Sequence, residues 1–245
     1  MIEIANESHR DKIENEPIVR VVNVARTYRL GGRDVPALKG VSLEVEAGHF
    51  IALKGRSGSG KTTLLNLIGG LDQPTSGEVF IYGKPLSGLS ERQMTELRRN
   101  RIGFVFQSFA LLPTFSAYEN AELPLRIAGL GGREREERTW RCLEIVGIAN
   151  RAHHRPYEMS GGQQQRVAIA RALVNSPGLI LADEPTGELD STSGRKVMDL
   201  FQQISVEEKV AVIMATHDPM VEEYAEMIYE LKDGQVINVI DSTAN

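Results

Sequence analysis

At 245 residues, with 41% apolar side chains, the chain is long enough for one large α/β domain or two small ones around a substantial core. Its 28 Lys and Arg against 33 Asp and Glu leave a net charge of −5, which argues against a nucleic-acid binder with a broad basic face. The single cysteine, Cys142, excludes an internal disulfide and reads as a small apolar helix residue in a reducing compartment.

Residues 1–17 are polar and acidic, and are expected to form a disordered tail, without the basic start and apolar stretch of a secretory signal. Nowhere do about 18 uninterrupted apolar residues occur, so any membrane role is expected to come through a partner. From Ile18, "IVRVVNVARTYRL" and "VSLEVEAG" alternate apolar and polar residues around the turn "GGRD", which predicts an antiparallel β layer. Continuous apolar runs follow, ending at Leu53, Ala182 and Ala215, with helical patterns between them. They predict an α/β fold: a mainly parallel sheet with helices on both faces. Between about residues 90 and 160 the chain is richer in charge and helix formers, which predicts a mostly helical subdomain inserted in the core. Within it, "REREER" reads as a solvated helix face.

The strongest motif stands at the end of the first buried run. "GRSGSGKTT" comprises Gly55, Arg56, Ser57, Gly58, Ser59, Gly60, Lys61, Thr62 and Thr63. It fits the phosphate-binding pattern G-x-x-x-x-G-K-[ST] between a strand and a helix, the setting that the motif requires. Gly58 and Gly60 let several backbone N–H groups face one anion at a helix N-terminus. Lys61 is then expected to reach the β- and γ-phosphates of a nucleotide triphosphate, while the Thr62 hydroxyl serves Mg²⁺.

Two further buried runs end in chemistry. "LILADEP" delivers Asp183 and Glu184 to the carboxyl edge of the sheet, where open α/β sheets bind ligands. Asp183 suits the Mg²⁺ shell, and Glu184 suits orientation or deprotonation of the attacking water. "MATHDP" brings His217 to the same edge, where a ring N–H can reach the γ-phosphate.

The phosphate loop, "MSGGQQQR" immediately upstream of "VAIARALVNSPGLILADEPTGELD", and His217 together resemble the ATP-binding cassette (ABC) ATPases, over essentially all of residues 18–240. The resemblance implies a P-loop NTPase core, ATP and Mg²⁺ as cofactors, and hydrolysis coupled to a membrane permease. It assigns Gln107 in "FVFQS" to the loop that senses metal and membrane partner, Tyr28 to stacking on adenine, and Asp190 to the loop crossing a dimer interface. It also implies that Ser160, Gly161, Gly162 and Gln163 close over ATP held by a second cassette, either another copy of the chain or a homologue. A location on the inner face of the cell membrane follows from the same resemblance.

Within the family, "GGLDQPTSGEV" and "LLPTFSAYENAELPL" look like the lipoprotein-release and macrolide-export branch. Met159 replaces that branch's usual leucine, and Glu188 stands where asparagine is frequent. The resemblance suits an export subunit and an ATP-driven signalling subunit equally, since both use the same catalytic machinery. Neither a long coiled-coil or zinc-bearing insertion nor a second cassette occurs in the chain, which argues against the DNA- and ribosome-acting members. The apolar, aromatic run past Gln107 suggests Phe109, Leu111, Leu112 and Phe115 as candidates for a groove receiving a short helix of the permease.

Overall fold

Two sheets organise the chain, which a computed structural model describes over residues 16–242. The tail expected over residues 1–17 lies outside the described residues except for its last two. Strand β1 (Val19–Leu30) turns through Gly31 and Gly32 into β2 (Arg33–Val45), and the two pair antiparallel as their alternation predicts. With β4 (Ser76–Ile81) and β5 (Lys84–Pro85) they form a four-stranded sheet in the order β2-β1-β4-β5.

The larger sheet contains the three predicted buried strands: β3 (Phe50–Lys54), β7 (Leu179–Asp183) and β8 (Ala211–Thr216). Its order is β10-β9-β3-β8-β7-β6, with β6 at Ile102–Phe106, β9 at Met227–Lys232 and β10 at Gln235–Asp241. Every neighbouring pair from β9 to β6 is parallel, and only β10 runs antiparallel. Because side chains alternate along a strand, the buried runs feed two cores at once. Phe50, Ala52, Ile180, Ala182, Val212 and Met214 face one core, and Ile51, Leu53, Leu179, Leu181, Ala211 and Ile213 face the other.

The first core is closed by helices α3 (Ala117–Ile127), α4 (Gly132–Ile145), α5 (Gly161–Leu173) and α6 (Ser191–Glu207). The second is closed by helix α1 (Lys61–Ile68) together with the small sheet. The prediction of helices on both faces therefore holds, with the small sheet sharing one of them. Burial pushes the Cys142 thiol up to about 12, so it behaves as the inert apolar residue expected of its place on α4. The "REREER" run forms i,i+4 pairs on α4, Arg133 with Glu137 at 3.0 Å and Arg138 with Glu134 at 2.7 Å.

The stretch of about 90–160 also contains a strand: α2 (Glu91–Arg101) leads directly into β6, which pairs with β7 in the large sheet. Five residues of strand behind an arginine-rich helix carry too short an apolar signal to stand out. Gly103, near its start, lies so close to α5 that a Cβ there would stand 2.5 Å from the Ala172 carbonyl. Among the described residues no helix is long and apolar enough to cross a membrane.

Candidate active site

The strand order sets the site. Along the carboxyl edge, β3, β8, β7 and β6 are adjacent, and their register aligns Lys54 with Thr216, Ala215 with Asp183, and Asp183 with Phe106. The next residues in each strand therefore meet side by side: the phosphate loop after β3, His217 after β8, Glu184 after β7 and Gln107 after β6. They line one cavity of about 770 Å³, with Arg56 to Thr63, Asp183, and Val35 to Ala37 of β2.

The loop's geometry depends on glycine at its last turn. Gly60 has φ +105°, and a Cβ there would stand 2.7 Å from Leu38 Cδ2 and 2.8 Å from the Ala37 carbonyl. Only glycine fits this approach to β2, and it places the first turn of α1 directly against the cavity. Lys61 is buried; its Nζ donates to the Gly55 carbonyl at 2.7 Å and to the Arg56 carbonyl at 3.3 Å, and lies 3.4 Å from Glu184 Oε1.

Glu184 is held from several sides. Its backbone N–H donates to the Ala215 carbonyl at 2.8 Å, and its φ of +47° is a left-handed conformation costing of order 1–3 kcal/mol for a non-glycine residue. Its Oε2 lies 3.0 Å from His217 Nδ1. The predicted base and the predicted γ-phosphate sensor thus touch each other, and the strained backbone fixes where the carboxylate points.

Thr62 Oγ1 donates to Asp183 Oδ1 at 3.2 Å, so the two predicted metal ligands are in contact, with Gln107 on the same cavity. Burial raises the Asp183 carboxyl above its ordinary value, opposed by the Thr62 hydrogen bond. The donors are hard oxygens, and among the described residues no group of three or more His, Cys, Asp or Glu forms an all-protein metal site. That donor set fits Mg²⁺, which binds through few protein groups plus phosphate oxygens.

Three sequence-predicted groups lie outside this cavity. Tyr28 pairs across the strand with Val35, a lining residue, which holds it at the margin. Its hydroxyl donates to Asp72 Oδ2 at 2.8 Å, Arg26 grips both oxygens of the same carboxylate, and the Arg26 guanidinium lies 4.6 Å over the Tyr28 ring. The Arg26–Asp72 pair that holds Tyr28 was not legible in the sequence, since its partners lie 46 residues apart. Asp190 caps α6, accepting from the Ser193 N–H at 2.9 Å, and that bond holds its carboxyl below its ordinary value.

Ser160 to Gln163 form the third group. Ser160 caps α5 in a capping box: its Oγ accepts from the Gln163 N–H at 3.4 Å, and Gln163 Oε1 accepts from the Ser160 N–H at 2.9 Å. Ser160, Gly162 and Gln163 line a different cavity, of about 330 Å³, which shares no residue with the first. Arg151, Arg166 and Lys196 line it and no acidic residue does, so it too suits an anion.

A protein family described as ABC transporter matches residues 38–187. The chain belongs to that family. It is the family's ATP-hydrolysing cassette, with the fold of a P-loop NTPase. An uncharacterised ABC transporter ATP-binding protein of Methanocaldococcus jannaschii, MJ0796, is 47% identical over 223 residues, which cover 89% of the cassette and 95% of that relative. The macrolide export ATP-binding/permease protein MacB of Syntrophobacter fumaroxidans is 48% identical over 221 residues, or 89% of the cassette. The match spans only 31% of that longer protein. Among solved structures, a dimeric post-hydrolysis state of MJ0796 bound to ADP and Pi matches with a TM-score of 0.83 at 45% identity, covering 91% of the cassette and 98% of that chain.

Proposed function

We propose that the cassette works as half of a head-to-tail pair, with its own copy or a homologous cassette, and drives a separate membrane permease for export or lipoprotein release. The observation that carries this reading is the separation of its two anion-suited sites. One chain holds Lys61, Thr62, Asp183 and Glu184 around one cavity and Ser160, Gly162 and Gln163 around another, so the second is placed to serve a different anion. The dimeric form of MJ0796 supports the pairing, and the joint ATP-binding/permease name of MacB supports the membrane partner.

In the closed pair, Lys61 exchanges its carbonyl partners for the β- and γ-phosphates, and the N-terminus of α1 faces the same oxygens. Thr62, Asp183 and Gln107 would hold Mg²⁺, which when bound would neutralise phosphate charge. Glu184 takes the proton of the attacking water, His217 donates to the γ-phosphate, and the partner's signature segment excludes solvent from above. Tyr28 stacks on adenine at the cavity margin, and Asp190 meets the opposing cassette. The resulting location is peripheral, on the inner face of the cell membrane.

A surface for the permease is available beside Gln107. A groove of about 550 Å³ is lined by Leu71, Phe104, Phe106, Ile127, Arg98 and Arg171 among others, and no acidic residue lines it. Of the four residues expected here, none lines it: Leu111 packs on the main core and only Leu112 is exposed. Arg171 donates to the Phe109 and Ala110 carbonyls, which holds that loop in the wall while Ala110 lines the groove. The cation-rich, apolar lining fits an apolar helix bearing a carboxylate. Ile127→Glu, at a residue 63% exposed, is expected to abolish co-purification of the permease while ATP binding by the isolated cassette stays unchanged. Undiminished recovery of the permease with this variant contradicts the groove assignment.

A further inference from the structure

Three glutamines follow the signature glycines on α5, and their amides behave differently. Gln163 bonds back to Ser160, and Gln164 Nε2 donates to the Met159 carbonyl at 3.1 Å. Gln165 is fully buried, and neither its amide nitrogen nor its oxygen has a hydrogen-bond partner among the described residues. A buried amide with neither half paired destabilises a fold, and an apolar side chain of the same length would pack there without that cost. Its neighbours on the helix, Val167, Ala168 and Ile169, are apolar and buried. Packing alone therefore gives no reason for glutamine at this place.

Its location gives one. Gln165 lies one turn beyond Gly161 and Gly162 and shares their side of the helix. That side faces the segment between β7 and α6 and the first turn of α6: a Cβ on Gly161 would stand 3.2 Å from Leu189 Cδ2, 3.6 Å from Phe109 Cζ and 3.7 Å from the Glu188 carbonyl, and one on Gly162 would stand 3.2 Å from Ser193 Cβ in α6. The segment begins at Glu184 and ends at Asp190, the cap of α6. It offers a primary amide the buried Thr186 hydroxyl and a run of backbone carbonyls.

We propose that Gln165 is a positioning residue whose amide ties the signature helix to the segment Glu184–Asp190 when two cassettes close on ATP. The inference rests on the head-to-tail reading above. On that reading Ser160 to Gln163 answer to the partner's nucleotide and Glu184 to the chain's own. A bond from Gln165 to this segment makes the two move together, so each ATP reports to the other through one side chain. The coupling then appears as cooperativity in turnover rather than as affinity for the first ATP.

The test replaces Gln165 by methionine, which keeps length and burial and removes the hydrogen-bonding atoms. Expected for Gln165→Met are a melting temperature equal to or above wild type, unchanged ATP affinity of the monomer, and a kcat lowered about tenfold, the worth of one lost hydrogen bond. The dependence of rate on ATP concentration loses its cooperativity. In a Glu184→Gln background the same substitution weakens the ATP-induced dimer. An unchanged rate and unchanged dimer, with the Glu184→Gln parent dimerising normally, overturn the role of Gln165 alone. A rate that falls together with the melting temperature also overturns it, since the residue is then structural. Failure of the parent to dimerise with ATP removes the head-to-tail reading and the inference with it.

Discussion

Glu184→Gln is expected to slow ATP turnover by about 10²–10⁴-fold, the usual contribution of a positioned general base, while leaving ATP binding intact. The substitution preserves the length of the side chain and its reach toward His217, now 3.0 Å from the carboxylate. It also leaves the left-handed backbone at this position under the same restraint from the Ala215 carbonyl. What it removes is the ability to accept a proton from water. Binding should survive because the contacts expected to hold the phosphates come from Lys61, Thr62 and the N-terminus of α1. Phosphate release in steady state, paired with a nucleotide titration on the same preparation, measures both. Turnover near the wild-type rate would remove Glu184 from its assigned role.

The second large effect is expected from Lys61→Ala. The ammonium is buried, and its present partners are two backbone carbonyls and the Glu184 carboxylate. A buried cation held this way is poised to trade neutral partners for phosphate oxygens, and a charge-assisted bond of that kind contributes about 1.5–3 kcal/mol. Its removal should weaken ATP binding by about 10- to 150-fold, and hydrolysis should fall further because the γ-phosphate charge in the transition state is left uncompensated. The loss also strips the Glu184 carboxylate of a cation at 3.4 Å, leaving His217 as its remaining side-chain partner among the described residues. Equilibrium binding and steady-state ATPase assays measure the two effects separately. Near-normal values in both would contradict the site.

The parts legible in the sequence were those with local signals. The strands β3, β7 and β8 are short, continuously apolar and bounded by polar turns, so their type, ends and parallel arrangement follow from burial on both faces. Each leads into residues with recognisable chemistry, so the apolar runs place Asp183, Glu184 and His217 along one edge, and the phosphate-loop motif after β3 adds Lys61. β6 was hidden because only five residues, one of them glycine, separate an arginine-rich helix from a loop. The anchoring of Tyr28 by Asp72 and Arg26 depends on contacts 44 and 46 residues apart in the chain, which no local pattern encodes. The apolar groove beside Phe106 draws its walls from elements well separated along the chain, which no local run of residues reveals. Gln165 carries no signal at all in a run of three identical residues; only its burial distinguishes it from Gln163 and Gln164. Ser160 caps α5, and the capped end of that helix faces a basic cavity of its own.

The measurement that bears most directly on the whole scheme is the ATP-dependent size of the Glu184→Gln cassette with and without Ser160→Arg, read by size-exclusion chromatography beside a nucleotide titration. Glu184→Gln alone should run as a dimer with ATP and as a monomer without it, because bound ATP is no longer consumed. Adding Ser160→Arg places a bulky side chain at the N-terminus of α5, where it should block dimerisation. ATP binding by each monomer should persist, since the cavity holding Lys61 and Asp183 shares no residue with the one lined by Ser160. A double variant that still dimerises with ATP, or a Ser160→Arg monomer that no longer binds ATP, would contradict the assignment of Ser160 to Gln163 to a neighbour's nucleotide.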